Sequence, residues 1–351
     1  MEGSQIAYFT MEIGLKASIP TYSGGLGVLA GDTIKSAADL NVPMVCMTMM
    51  YHQGYFTQGF DGHWQTAEPT IWNPREELKL LPNKVRVEIE GRTIQVQAWK
   101  YVVEGIQGHE VPVYFLDTDI EGNSEWDRSL TSRLYGGDHW FRMCQEIVLG
   151  IGGVKMLREL NIQVDKYHMN EGHAAFLTLE LRKDAEEDDH EVDAEEYQLI
   201  RKECVFTTHT PVPAGHDAFE AEWVQRALGN QYDLASLNSY EDGRLNMTLL
   251  AMNHSAFING VAKKHGQVAR EMFPGYQINA ITNGVHAQTW TSPHFRRLFD
   301  DYIAGWREDN YMLRYSLNIP DKEVWHAHEA AKEDLVRMLA DKTGKRWIRG
   351  C

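Results

Sequence analysis

A glycine-rich turn set between an apolar run and a helix-like run constrains this chain more than any other feature. Tyr22-Ser23-Gly24-Gly25-Leu26-Gly27-Val28-Leu29-Ala30-Gly31-Asp32 follows the strand-like Ile6-Ala7-Tyr8-Phe9 and feeds a helical pattern from Val28 to Leu40. Pro43-Met44-Val45-Cys46-Met47 then reads as a buried strand, so the first fifty residues form a β-α-β unit. Glycines at 24, 25 and 27 let the backbone turn tightly and approach a ligand with no Cβ in the way. A helix opening at Gly25 or Leu26 would aim unpaired N–H groups and the positive end of its dipole at that ligand, a setting that suits phosphate. The turn is not a Walker loop, because no Gly-Lys-Ser/Thr follows it. Nor is it a dinucleotide fingerprint, because its third glycine is out of register.

The remainder of the chain repeats the alternation. Lys84 to Tyr101 reads as a hairpin turning at Glu90-Gly91-Arg92, and Val111 to Leu116 as a strand. Gly54 to Gly59 reads as a polar-aromatic loop, and Asp138 to Leu160 as a long helix interrupted by Gly150, Gly152 and Gly153. Those glycines imply close packing of the helix on a sheet, since each weakens a helix by about 1 kcal/mol. Tyr167-His168-Met169, Cys204 to Thr208 and Ile278 to Ile281 read as strands. Met247 to Phe273 reads as largely helical, the acidic run Asp184 to Glu196 as a solvated loop, and everything after Ser292 as helix. This order predicts an α/β fold with a doubly wound, mostly parallel, Rossmann-like sheet. The expected domains are residues 1–291, with a hairpin insertion near 84–101, and a helical segment over 292–351.

Charge and cysteines narrow the function. A net charge of −16 with no basic stripe argues against nucleic acid. The most apolar run, Val42 to Met50, is too short to cross a bilayer, and no basic, apolar leader opens the chain. The four cysteines, 46, 144, 204 and 351, are scattered without a CxxC. The expectation is a soluble cytoplasmic protein acting on a small molecule, without membrane or nucleic-acid partners.

In an open α/β sheet, ligands bind beyond the carboxyl ends of the strands. Four loops fall there: Ser23 to Gly27, Asn170 to His173, His209 to Gly215, and Thr282 to Val285. His168, Glu171, His173, His209 and His216 lack the HExxH order of a metal helix, and no metal site is expected. His168 and His216 read as hydrogen-bonded structural histidines; His173 and His209 lie in strand-end loops, where function is more common. The chain has no GxSxG elbow.

Six segments in order resemble the N-terminal half of an α-glucan (glycogen/maltodextrin) phosphorylase of the shorter bacterial and archaeal type. They are residues 22–32 above, Arg-Leu-Tyr-Gly-Gly-Asp (133–138), Gln-Glu-Ile-Val-Leu-Gly-Ile-Gly-Gly (145–153), Asn-Glu-Gly-His-Ala-Ala-Phe (170–176), Thr-Thr-His-Thr-Pro-Val-Pro-Ala-Gly-His (207–216) and Asn-Gly-Val-His (283–286). The resemblance implies the N-terminal domain of a two-domain GT-B glycosyltransferase. Such an enzyme uses inorganic phosphate to release the terminal α-1,4-linked glucose of a glucan as glucose 1-phosphate, with retention. It implies that Gly24, Gly25, Leu26 and Gly27 bind phosphate and sugar through the backbone. It makes His209 the catalytic-site histidine on the glucose, Asn283 a contact near the primary hydroxyl, and Glu171 and His173 part of the wall along the glucan's approach. The family's cofactor, pyridoxal phosphate, is held by a lysine of the second domain. The expectation is therefore that this chain carries neither that lysine nor the cofactor, and is inactive without a C-terminal half. A missing half or a homo-oligomer is the implied protein partner. Two alternatives remain open: a non-catalytic carbohydrate-binding module, and a glycogen or starch synthase-like transferase. The second is disfavoured by Tyr22, where those enzymes carry lysine.

Overall fold

The computed structural model describes residues 5–61, 64–186, 194–212 and 215–344. The chain divides into two compact units, Met1–Gly284 and Val285–Cys351.

The first unit is built on a nine-stranded sheet. Its strands in chain order are β1 (Ile6–Thr10), β2 (Met44–Met49), β3 (Lys79–Ile89), β4 (Arg92–Glu104), β5 (Glu110–Asp117), β6 (Lys166–Asn170), β7 (Cys204–Thr208), β8 (Phe257–Gly260) and β9 (Ile278–Ala280). Their spatial order is β9-β8-β7-β6-β1-β2-β5-β4-β3. Every neighbouring pair is parallel except β5–β4 and β4–β3, which form an antiparallel edge. From β1 the chain winds outward one way through β2 and β5, and then the other way through β6, β7, β8 and β9. The reversal between β1 and β6 is the crevice of a doubly wound sheet.

Both faces of this sheet are buried, as a parallel sheet requires. Ala7 and Phe9 point into one apolar cluster and Tyr8 into the other; Val45 and Met47 alternate with Met44 and Cys46 in the same way. Helix α1 (Gly25–Asp39) covers the Tyr8 face with Ala30, Ile34, Ala37 and Ala38. The opposite face carries α3 (His139–Ile147), a π-helical turn over Val148–Gly152, and α4 (Gly153–Glu159). The glycines of that run are explained by contact. A Cβ on Gly153 would stand 2.5 Å from the Phe9 ring, and one on Gly150 would stand 2.5 Å from the Leu177 backbone nitrogen. The short α2 (Glu125–Ser129) follows β5; α5 (Leu177–Glu186) packs on the π-helical turn and α4, α6 (Ala194–Glu203) on β6 and β7, and α7 (Ala221–Leu228) on β3.

Three expectations change. Met247 to Phe273 is not largely helical: α8 (Met247–Asn253) and α9 (Lys263–Met272) flank β8, a four-residue strand paired with β7 and β9. Its brevity hides it, because tertiary pairing rather than local periodicity sustains so short a strand. Gly54 to Gly59 is not a loop but part of a strand, Gln53–Asp61, that pairs antiparallel with Trp64–Ile71 outside the main sheet. The first unit also ends at Gly284 rather than at residue 291. Ala287 packs with Leu298, Ile303 and Trp306, and Gln288 hydrogen-bonds to Arg307, which ties this segment to the helical unit. The acidic run falls mainly on residues 187–193, outside those described.

The second unit is helical among its described residues, with Pro293–Tyr302 packed on Asp321–Thr343. No helix among the described residues is long and apolar enough to cross a membrane.

Candidate functional site

The site is assembled at the carboxyl ends of β1, β6, β7 and β9. Two residues past β1, the side chain of Glu12 turns inward, only 2% exposed. Its Oε2 accepts from the N–H groups of Ser23 at 2.7 Å and Gly24 at 3.3 Å, and its Oε1 from the Tyr135 hydroxyl at 2.8 Å. Glu12 therefore holds the strand-to-helix turn in place. Helix α1 opens directly after it, with Gly24 as N-cap, no side-chain cap and no acidic residue in the first turn. Among the described residues, no acceptor is present for the N–H groups of Gly25, Leu26 and Gly27. Three donors and the positive end of a fifteen-residue helix thus stand together.

The glycines separate by role. A Cβ on Gly27 would meet Tyr22 at 2.5 Å and Glu12 at 2.7 Å, and one on Gly31 would meet the Gly14 carbonyl at 2.0 Å. Packing explains those two. At Gly24 and Gly25 a Cβ would meet nothing within 4 Å. Internal packing does not demand glycine there, and the space in front of them is open to a ligand.

Across the switch point, Asn170 and His209 end β6 and begin the loop after β7. The Asn170 amide is oriented by its Nδ2, which donates to Thr10 Oγ1 at 3.0 Å. Its Oδ1 therefore faces His209 Nε2, at 2.5 Å, as acceptor. That bond assigns the proton to Nε2 and leaves the Nδ1 lone pair unused. Burial pushes the His209 imidazole down to about 4; the Glu171 carboxyl opposes this, and His265 and His173 reinforce it. At neutral pH His209 is a neutral ring with a free acceptor nitrogen, equipped to fix a hydroxyl group rather than to donate a proton.

Glu171 sits at φ 69° and ψ 172°, a region that side chains other than glycine seldom adopt. Its Oε1 accepts from the backbone N–H groups of His209 and Thr210 and from the Thr210 hydroxyl, at 2.5, 2.8 and 3.0 Å. Those bonds hold the strained backbone and lock the start of the His209 loop. Glu171 is buried, so it supports the site from beneath.

His173 is buried too, in a charged cluster. Arg142 of α3 donates to Asp217 at 2.8 and 3.0 Å, comes within 2.8 Å of His173 Nε2 and 3.4 Å of Glu146, and covers the Tyr135 ring at 4.9 Å. Burial, followed by the Asp217 charge, pushes the Glu146 carboxyl well above its usual range. Burial works the same way on Asp217, but hydrogen bonds and charge from His173 and Arg142 outweigh it and hold that carboxyl low. Glu146, His173 and Asp217 bring ligand-type atoms within 4.8 Å of one another. The Arg142 guanidinium already stands among these groups as a cation, 2.8 Å from Asp217 and 3.4 Å from Glu146. Tyr135 links this cluster to Glu12, and so to the glycine turn.

Asn283 lies beyond β9 at the same end of the sheet, exposed, its N–H bonded to the Val261 carbonyl at 3.0 Å. His168 and His216 are hydrogen-bonded to Thr207 and Thr248, both at 2.8 Å. Sequence reasoning missed Glu12, Arg142 and Asp217, whose partners lie far away in the chain. The only available signal was an acidic residue placed just past an apolar strand.

A family profile described as "Carbohydrate phosphorylase" matches residues 20–140, a span that begins just before the glycine turn. Maltodextrin phosphorylase of Thermococcus litoralis is 36% identical over 97% of this chain and 43% of its own length. The chain belongs to the carbohydrate phosphorylase family. Glycogen phosphorylases of Mycobacterium tuberculosis and Aquifex aeolicus are 37% and 29% identical, over 84% and 98% of the chain and 38% and 53% of their own lengths. The chain thus spans about half the length, or less, of these phosphorylases.

Proposed function

We propose that this chain is the N-terminal, sugar- and phosphate-facing part of an α-glucan phosphorylase with a GT-B fold. The reaction is transfer of the terminal α-1,4-linked glucose of glycogen or maltodextrin to inorganic phosphate, giving glucose 1-phosphate. One observation carries the reading. The unoccupied donors of Gly25, Leu26 and Gly27 share one sheet end with the free acceptor nitrogen of His209.

Each part has a chemical task. The helix N-terminus donates to an oxygen of phosphate, and its dipole favours the negative charge by about 0.3–1 kcal/mol. Neutral His209 accepts a hydrogen bond from a hydroxyl of the glucose through Nδ1, which orients the ring without protonating it. The Asn283 amide, exposed at the next strand end, offers a donor and an acceptor to the same sugar. Glu12 and Glu171 hold the two loops rigid, so little ordering is left to binding.

Pyridoxal phosphate, when bound in this family, supplies a phosphate group that relays a proton. The residues gathered at this rim include no lysine to anchor it, so the tasks assigned to this chain are sugar and anion binding alone. The cytoplasm suits the three free, buried thiols of Cys46, Cys144 and Cys204. The test is reconstitution. The chain is mixed with a separately expressed C-terminal half of a related phosphorylase, and glucose 1-phosphate release from maltoheptaose is followed. Release that depends on both halves is the expected result. No release in a mixture shown to associate would overturn the reading.

A further inference from the structure

Tyr135 stands between the two halves of the crevice, its hydroxyl on Glu12 and its ring under Arg142. We propose that Tyr135 is a positioning residue: through Glu12 it sets the register of the anion-binding turn against the sugar-binding segment, so that one ligand can engage both; this rests on the function proposed above, in which Gly25 and His209 face the same ligand.

Glu12 is the junction. Its main chain belongs to the sugar side: the Thr10 hydroxyl donates to the Glu12 carbonyl at 2.9 Å and accepts from the Asn170 amide at 3.0 Å, and Asn170 in turn holds His209. Its side chain belongs to the anion side. The two ends of the glycine turn are pinned by main-chain bonds, from the Ile13 N–H to the Thr21 carbonyl at 3.1 Å and from the Gly14 N–H to the Gly27 carbonyl at 2.7 Å. Between those ends, the N–H groups of Ser23 and Gly24 are held by the Glu12 carboxylate. The apex of the turn therefore follows the rotamer of one glutamate. A change of that rotamer would shift the apex while His209 stayed in place. The Tyr135 hydroxyl, 2.8 Å from Oε1, holds the carboxylate against such a change.

Tyr135 is itself fixed from the sugar side. Its backbone adopts φ 51°, in the left-handed region that residues other than glycine seldom occupy. The Arg142 guanidinium lies 4.9 Å from its ring centre and donates to Asp217 at 2.8 and 3.0 Å. Asp217 closes the segment that His209 opens. His173, 3.3 Å from Asp217, follows two residues after Glu171, which binds the N–H groups of His209 and Thr210. The ring thus rests on a cluster that grips the sugar-binding segment at both ends. Burial, followed by the Glu12 charge, pushes the Tyr135 phenol above its usual range, so it stays a neutral donor.

Register matters only to a ligand that touches both sides. Such a ligand makes its second contact at high effective concentration, provided that the spacing of the two subsites matches its own. Glucose 1-phosphate joins a sugar and a phosphate at one short, fixed distance. Inorganic phosphate and glucose each use one subsite. The donors of the helix start and the acceptor nitrogen of His209 both survive a shifted apex; their spacing does not. Tyr135→Phe keeps the ring under Arg142 and removes only the bond to Glu12.

The experiment uses the full chain and three ligands. Phosphorus line broadening follows inorganic phosphate, and proton saturation transfer follows glucose and glucose 1-phosphate. In Tyr135→Phe the expected result is a roughly tenfold loss of affinity for glucose 1-phosphate, with phosphate and glucose each within about twofold of wild type. Glu12→Gln should also weaken glucose 1-phosphate, and the double variant should be no weaker than the weaker single one, because Tyr135 acts through Glu12. A general loss of structure would lower all three affinities together. That result, wild-type affinity for glucose 1-phosphate in Tyr135→Phe, or additive losses in the double variant would each overturn the inference and leave the function proposed above standing. A wild-type chain that binds no glucose 1-phosphate would overturn that function, and the role of Tyr135 with it.

Discussion

Gly25→Asp should move stability and ligand binding in opposite directions. A Cβ at residue 25 meets nothing within 4 Å, so the new side chain enters open space. Residue 25 is the first helical position of α1, where no acidic group now faces the dipole. A carboxylate there gains about 0.3–1 kcal/mol from the dipole. Replacing glycine within a helix adds a few tenths of a kcal/mol more. The sum is a stabilisation of about 0.5–1.5 kcal/mol, read as a rise in melting temperature of roughly 1–4 °C. Binding of glucose 1-phosphate should fall instead. Two like charges about 4 Å apart at a protein surface repel by about 1–4 kcal/mol, which is roughly a fivefold to thousandfold loss of affinity. Gly25→Ala separates the effects, because it gains helix propensity without charge and leaves the anion unopposed. Thermal melts and saturation-transfer NMR with glucose 1-phosphate check the two halves. Unchanged binding in a folded Gly25→Asp would remove the glycine turn as the anion site. A fall of several degrees would show that the space before residue 25 is not open.

Gly153→Ala should destabilise the first unit by about 1–3 kcal/mol, since its Cβ would stand 2.5 Å from the Phe9 ring at the centre of the sheet. Urea unfolding measures this, and a change under about 0.5 kcal/mol would show that helix and sheet are not in that contact. Stability should also fall as the solution is acidified. His168, His209 and His254 are each brought down to about 4, chiefly by burial, against about 6.5 when unfolded. Above pH 6.5 both states are neutral and the fold is fully stable. Between 6.5 and 4 the unfolded chain binds protons that the folded chain refuses, and stability drops. Unfolding free energies from urea titrations at pH 7 and pH 5 should therefore differ by a few kcal/mol, and equal values would contradict the buried, neutral state of these rings.

Where residues close in sequence carried the information, the chain was legible. The glycine turn, α1, the β3–β4 hairpin, β5, β6, β7 and β9 each have their own periodicity or turn chemistry. The glycines of the π-helical turn and α4 correctly implied a helix pressed against a sheet, because close contact is the role that offsets their loss of helix propensity. Strand β8 was not legible, because four residues between two helices carry no period of their own. The exposed hairpin over Gln53–Ile71 was hidden for a related reason, since its aromatic and threonine residues face solvent and show no apolar side.

The site divides along the same line. By itself the sequence determined that a glycine-rich helix start, two histidine-bearing loops and an Asn-Gly loop each follow a strand. The rule that strand ends share one rim then places them together. Only the tertiary structure decided what supports them. Glu12, Tyr135, Arg142, His173 and Asp217 come from five separate places in the chain, and no local pattern foretells their hydrogen bonds. The structure likewise separated Gly24 and Gly25, which face open space, from Gly27 and Gly31, which packing requires. It also made His209 a neutral acceptor, through burial and the Asn170 amide 39 residues before it. Burial and partner geometry are properties of the folded chain, so charge state and the direction of a hydrogen bond are settled only there.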